Sequence, residues 1–544
     1  MYGLEFQVSS GTADAAPNRA DVVCFIGFVA RRQRPGDGAL TPLTPEMKRW
    51  LADQGWRSDA ALIPDDDDLL HTPVPVESFE EFARLFAWET RDPAAAPPTL
   101  VSWLGAAVRS FFVQGGSRCL VVRAGDPWVY EASRPDRSAA EIAAAETARN
   151  ERLKKLVPHF GGGAMPRADD IAGWVYPDAL RRPQWQGVGV LHAAAEAAVI
   201  CLPDLPELVA DTTLEPEGFP NPPAAPEVFV ECAEPVVPPD PTRLWPNPAP
   251  ACTAAGFAVW FAVLRDLATF LEANRGRINA DALLAVPMPA AGTVRPGRLL
   301  DLLAPANPKA GLSARFDAAG GAAARTVQLA YPWLVTANAP RLPGQLEPPD
   351  GVLAGVLARS VATRGAHRSL GRQEVREVTG FKPALEPEEI AWSGPAIAAD
   401  ALIDRVSLLG PSPAGPRVLS DVTSSIVEDE RPAGVERLTL AILRAASRLG
   451  ENLVFESNGP RLWQRVTRAL EATMSGFFAL GAFRGDSEAA AFSVVCDGAT
   501  TTQNDLDAGR VIARVSFAPA QPVAWITVVL SLREGGQVAV AGTA

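Results

Sequence analysis

The sequence predicts a multidomain α/β (α+β) protein built on a mixed sheet flanked by helices. Three observations carry that expectation. In the first third, apolar runs of strand length alternate with segments whose apolar residues recur every three or four positions. The last third reads helix, strand, helix and then three strands. The length, 544 residues, is several times that of a usual domain and points to about 3 to 4 of them.

Taken in order, residues 4–9 form a short extended piece, and residues 22–30 are apolar enough for a buried strand. Ser78 precedes Phe79, Phe82, Leu85 and Phe86 at helical spacing, and Glu81 stands three positions on, which predicts a capped amphipathic helix. A helix over 100–113 ends at Gly115-Gly116, and a strand over 118–123 follows. Residues 204–250 are dense in proline and predict an extended excursion without its own helix. A helix over 257–274 and a strand over 282–288 resume the pattern. Further on, a helix over 435–449 is expected to stop at Gly450, with a short strand over 453–455. A helix over 459–480 has Pro460 in its first turn. Strands are expected over 492–496, 511–517 and 524–532, on a sheet covered by helices on one face.

Composition removes several function classes. With 47% hydrophobic and 21% charged residues the chain is globular rather than disordered. Fifty basic against 63 acidic residues give a formal charge of -13, which opposes nucleic-acid binding, and the short basic runs at Arg31-Arg32 and Arg181-Arg182 read as solvated charge. The start, MYGLEFQVSSG, has no secretory pattern, and no apolar run reaches bilayer length, so a cytoplasmic product without membrane insertion is expected. Six cysteines lie in apolar runs or scattered positions without metal spacing, and four histidines are equally dispersed. The run Asp65 to Asp68 and the acids Glu428, Asp429 and Glu430 read as solvated turns. Gly161-Gly162-Gly163 lacks the lysine of a phosphate cradle, and no GxSxG or HExxH occurs. No catalytic residue, metal or cofactor is nominated.

The C-terminal third carries a likeness. Phe455-Glu456-Ser457-Asn458, Leu462-Trp463, Gly481-Ala482, Phe492 to Cys496-Asp497, Gly509-Arg510 and Ala518-Pro519-Ala520-Gln521-Pro522 stand in the order and spacing of the sheath proteins of contractile tails. Upstream, Tyr331-Pro332-Trp333, Pro348-Pro349-Asp350-Gly351, Phe25-Ile26-Gly27-Phe28 and Pro203-Asp204-Leu205 are similar to the same family. The chain thus resembles the contractile tail sheath family. The resemblance divides it into an arm (1–20), a first sheath domain (21–135), a core α/β segment (136–210), the proline-rich excursion (211–255), a middle core (256–400) and a C-terminal domain (401–544).

The resemblance implies a sheath-type core assembled from N- and C-terminal segments, with inserted middle domains. It implies a structural subunit rather than an enzyme, either of the main sheath or of a sheath-related adaptor at the baseplate or cap. The implied partners are copies of the chain in hexameric rings stacked in a helix, an inner tube protein, and baseplate and cap proteins. Subunits of this family exchange terminal strands. The candidates here are the strand bearing Leu4, Phe6 and Val8 and the strand bearing Trp525, Thr527 and Val529, the latter expected to be paired on both edges only in the assembly. Arg461, Arg465 and Arg468, at 4- and 3-residue spacing, make one basic stripe that could meet an acidic tube.

Overall fold

The computed structural model describes residues 20–543 apart from 58, 65–66, 93–98, 132–136, 164, 166–184, 215–246, 292, 294–298, 300–321, 386, 388–389, 391–400, 426, 453–457, 524 and 534–537. The expected arm up to residue 19, most of the proline-rich excursion and the strand expected over 453–455 lie outside the described residues.

β1 (Val23–Phe28) is buried at every position, as a central strand covered on both faces must be, and β2 (Ala30–Arg31) follows it. α1 (Pro45–Asp53) begins at Thr44, whose hydroxyl accepts from the Met47 amide. β3 (Val74–Val76) leads into α2 (Phe79–Leu85), where Ser78 Oγ accepts from the Glu81 amide as the sequence predicts. The return bond is displaced by one residue: Glu81 Oε2 accepts from the Glu77 amide. Phe86 leaves the helix for β4 (Phe86–Ala87), its ring still against Phe82. α3 (Trp103–Gln114) ends at Gly115 with φ of 103°, a left-handed cap that favours glycine, and β5 (Cys119–Gly125) follows. α4 (Ala139–Leu156) opens with a capping box between Ser138 and Glu141.

β6 (Val199–Cys201) is followed by α5 (Leu205–Val209), so the proline-dense stretch does hold a short helix. Pro206 sits in its first turn, where an amide donor is not needed. β7 (Thr212–Thr213) pairs with β8 (Pro250–Ala251), and α6 (Ala254–Ala273) is capped by Thr253. By length and composition α6 could cross a membrane, but it is mostly buried, as a core helix is. β9 (Asp281–Ala285) and β10 (Val327–Tyr331) join the main sheet, whereas β11 (Trp333–Thr336) turns away to pair with β12 (Val378–Lys382). The Tyr-Pro-Trp sequence is therefore split between two sheets at Pro332, which has no amide to donate. α7 (Asp350–Arg364) lies between β11 and β12, and β13 (Ser407–Gly410) and β14 (Arg417–Val418) close the sheet.

The large sheet runs β14-β13-β10-β9-β6-β1-β5-β3. The six strands from β13 to β5 are parallel, and β14 and β3 are antiparallel edges. α3 and α7 pack together beside it at backbone distance. A Cβ on Gly355 would stand 2.4 Å from Phe111 O, and one on Gly351 2.5 Å from Ala107 Cα, so only glycine permits this approach.

The C-terminal unit begins with α8 (Ala433–Asn452) and α9 (Pro460–Ala479). α8 runs through Gly450 instead of stopping there. Gly450 is buried, and packing outweighs the roughly 1 kcal/mol that a glycine costs inside a helix. α10 (Glu488–Ala491), β15 (Phe492–Val495), α11 (Gln503–Asp507), β16 (Arg510–Phe517), β17 (Ile526–Arg533) and β18 (Val538–Thr543) complete it as an antiparallel sheet in the order β15-β16-β17-β18. Its core, from Leu438 to Leu532, is separate from the cores of the main body.

Candidate assembly surface

Alternation gives the C-terminal sheet two unlike faces. Val511, Ala513, Val515 and Phe517 of β16 and Val528, Leu530 and Leu532 of β17 are buried in one core with α8 and α9. The other face carries Arg514, Ser516, Thr527 and Val529, exposed or half-buried, with Ser516 and Thr527 hydroxyls 2.9 Å apart. Trp525, 48% exposed, continues that face just ahead of β17.

One expectation needs correction. β17 does not wait for an assembly to fill its second edge, because β16 pairs along one side and β18 along the other within the same chain. The arginine-free run 538–543 supplies that strand, and its alternating valines and small residues gave too weak a signal beside the stronger apolar run of β17. Among the described residues the edge strands of this C-terminal sheet are β18 and β15. Leu4, Phe6 and Val8 lie outside the described residues.

α9 buries Leu462, Val466, Leu470, Met474 and Phe477 on the sheet side. Arg461, Arg465 and Arg468 are all exposed, so the structure does bring the three onto the solvent side of one helix. The helix is braced by residues of the sequence motifs. Trp463 Nε1 donates to Asn458 Oδ1 at 3.0 Å, and Asn458 Nδ2 donates to Arg510 O at 3.0 Å, tying the start of α9 to β16. Gly481, at φ 70°, reverses the chain after α9, and the Ala482 amide donates back to Phe477 O. Asp497 Oδ1 accepts from the Ala499 and Thr500 amides to form the turn after β15. These motif residues shape turns and braces.

The C-terminal unit meets the main body through charge. Glu436 on α8 accepts both guanidinium nitrogens of Arg275 at 2.5 and 3.0 Å, with both side chains almost fully buried. Arg437 grips Asp421 at 2.7 and 3.1 Å; burial pushes this carboxyl up, but Arg437 and the Leu370 amide hold it below its ordinary range. Arg444 Nη1 donates to Asn279 O, and Ser447 Oγ donates to Gly276 O at 2.7 Å. Sequence reading missed this joint, because helical periodicity marks Glu436, Arg437 and Arg444 only as polar positions.

The parallel sheet also has a topological switch point, between β1 and β6, where open α/β sheets commonly bind ligands. Here the space beyond the strand ends is occupied by the protein. Asp204 Oδ2 accepts from the Phe28 amide at 2.9 Å, and a Cβ on Gly27 would fall 2.2 Å from that oxygen. Burial pushes Asp204 up to about 7, and Asp350 at the start of α7 is likewise pushed up to about 7. Gly161-Gly162-Gly163 forms a turn after α4. Among the described residues no group of three or more His, Cys, Asp or Glu side chains is placed to hold a metal ion, and Cys24, Cys119, Cys201, Cys252 and Cys496 are free and buried.

No family model and no curated protein matches the chain. Among solved structures it is similar to a chain of the anti-feeding prophage baseplate in its contracted state, 17% identical with a TM-score of 0.52 and covering 96% of both chains. It is also similar to the contracted helical sheath of the same prophage (17% identical, TM-score 0.48, 96% of both chains). A third similar structure is the contracted PVC sheath complex of an extracellular contractile injection system (14% identical, TM-score 0.48, covering 96% of this chain and 94% of that one). The first likeness shows a fold shared over 96% of both chains.

Proposed function

We propose that the chain is a structural, non-enzymatic subunit of the contractile sheath of a phage-tail-like injection machine, wrapping an inner tube and shortening to drive it through a target envelope. The observation that carries this reading is the fold, shared along 96% of both chains with a component of a contracted particle. The C-terminal motifs support it, since Asn458, Trp463, Gly481 and Asp497 occupy bracing and turning positions there.

The mechanism follows from sheet edges. The open sides of β18 and β15 offer backbone groups that a strand from another copy completes, by β-augmentation. The segment bearing Leu4, Phe6 and Val8 is the donated strand. Trp525, Thr527 and Val529 form the receiving face beside it. Main-chain hydrogen bonds of this kind are independent of side-chain packing between subunit bodies, so the bodies rotate while the links hold. The contact is heterologous and builds hexameric rings stacked in a helix rather than a closed dimer. Arg461, Arg465 and Arg468 face the inner tube, and baseplate and cap proteins meet the ends. The subunit assembles in the cytoplasm and becomes part of a virion tail or released particle.

A second reading keeps the fold and changes the place: a sheath-fold adaptor at the baseplate, favoured by the baseplate origin of the similar chain. Electron microscopy of the purified protein separates the two. Long hollow cylinders are expected of the main sheath and short rings of the adaptor. Monodisperse single subunits under every assembly condition would contradict both.

A further inference from the structure

Residues 365–377 carry the chain from α7 to β12 along the β14 edge of the large sheet, held there by the Arg372 amide on Val418 O at 2.8 Å and the Val375 amide on Pro416 O at 3.0 Å. Arg364, at the end of α7, and Arg368, Arg372 and Arg376 beyond it are all exposed. Among the described residues none of these four side chains makes a hydrogen bond or an ion pair. Of the two acids in the segment, Glu377 pairs with Arg109 at 3.6 Å, so Glu374 alone is set against four guanidiniums. Neighbouring groups feel the resulting positive field. His367 is buried with no hydrogen-bond partner on Nε2, and burial, then Arg368, Arg364 and Arg437, push it from 6.5 down to about 4. Arg359 is likewise lowered by burial and by Arg376.

An apolar side chain joins this patch. Leu480, at the end of α9, is 63% exposed, more than any other large hydrophobic residue among those described. A Cβ on the next residue, Gly481, would lie 3.4 Å from Arg368 Nη2, which sets that guanidinium beside the end of α9. The surface therefore straddles the seam between the main body and the C-terminal unit. Guanidiniums without partners suit carboxylates, and an exposed leucine beside them suits a protein surface that covers it. A nucleic acid would satisfy the arginines and leave Leu480 in water. A copy of this chain meets both needs: its formal charge is -13, and Glu46 and Asp53 of α1 are examples of exposed carboxylates that form no ion pair among the described residues. We infer that the face formed by Arg364, Arg368, Arg372, Arg376 and Leu480 docks an acidic surface of a second copy of this chain. The two surfaces differ, so the contact is heterologous and repeats from copy to copy. A neighbour seated there touches both units of the subunit at once. The inference rests on the self-assembly reading above.

The test is Leu480→Cys, an exposed position where substitution leaves the fold intact, labelled with a benzophenone maleimide, assembled and irradiated. The described native cysteines are buried, and the parent chain treated identically is the control. A ladder of covalent multimers of this chain is expected on a denaturing gel, with the cross-linked peptides rich in Asp and Glu. The control is expected to give none. A second variant needs no label: Arg368→Glu with Arg372→Glu is expected to melt like the parent and to form cylinders at low salt with a yield lower by roughly tenfold or more. Cylinders of the labelled chain without a ladder, cross-links only to a different protein, or parental cylinder yield from the arginine variant would each overturn the inference and leave the sheath reading standing. A parent chain that forms no cylinders, with no ladder from the labelled one, overturns the two together.

Discussion

Asp204 shows how much a single side chain can cost and organise at once. Its carboxylate closes the end of β1 by accepting the Phe28 amide, yet burial drives it up to about 7, with Arg91 pulling down and Glu207 and Asp350 pushing up. In the unfolded chain it titrates near the ordinary value of 3.8. The folded state therefore holds the proton more tightly, and the stabilisation this gives is complete below about 3.8 and lost as pH rises to about 7. His71 runs the other way. Burial, helped by Lys155 and Arg123, lowers it from 6.5 to about 4, so its contribution is present above 6.5 and lost as pH falls through 4. Asp204→Asn keeps an acceptor for Phe28 and removes the titration. Denaturant unfolding of this variant is expected to show a stability gain over the parent that is larger at pH 8 than at pH 5, by roughly 1–3 kcal/mol. An equal difference at both pH values would contradict the assignment. The resemblance singles out Pro203-Asp204-Leu205, and Asp204 follows β6; its approach to Gly27 is set by the order of strands and could not be read from spacing.

At the scale of elements, local chemistry was legible wherever it was self-contained. The Ser78 cap, the Gly115 and Gly481 reversals and the placement of Pro460 in the first turn of α9 each depend on neighbours in sequence. Where a distant element decides, local pattern did not suffice: Gly450 stays helical because it is buried, and the split of Tyr331 and Trp333 between two sheets has no local signal. α9 was readable in full, since one period assigns both its buried side and its arginines. Because Arg461, Arg465 and Arg468 are exposed, reversing two of them leaves the core untouched, and exposed ion pairs contribute about 0.2–1 kcal/mol each. Arg465→Glu with Arg468→Glu is thus expected to leave the melting temperature unchanged and to weaken sedimentation with the inner tube roughly threefold to thirtyfold at low salt. Unchanged co-sedimentation would remove the tube from this face.

For the whole molecule, the separate cores and their ion-paired joint were invisible in the sequence, while the alternation of strands and helices that builds each unit was plain. The strand order of the main sheet and the return of β18 onto β17 come from long-range pairing, which no local pattern encodes. The central claim is that chain ends are shared between copies. Its most direct test is removal of residues 1–9, which include Leu4, Phe6 and Val8, followed by thermal melting and electron microscopy. The account predicts subunits that melt like the full chain and form no long cylinders. Cylinders of normal length built from the shortened chain would contradict it.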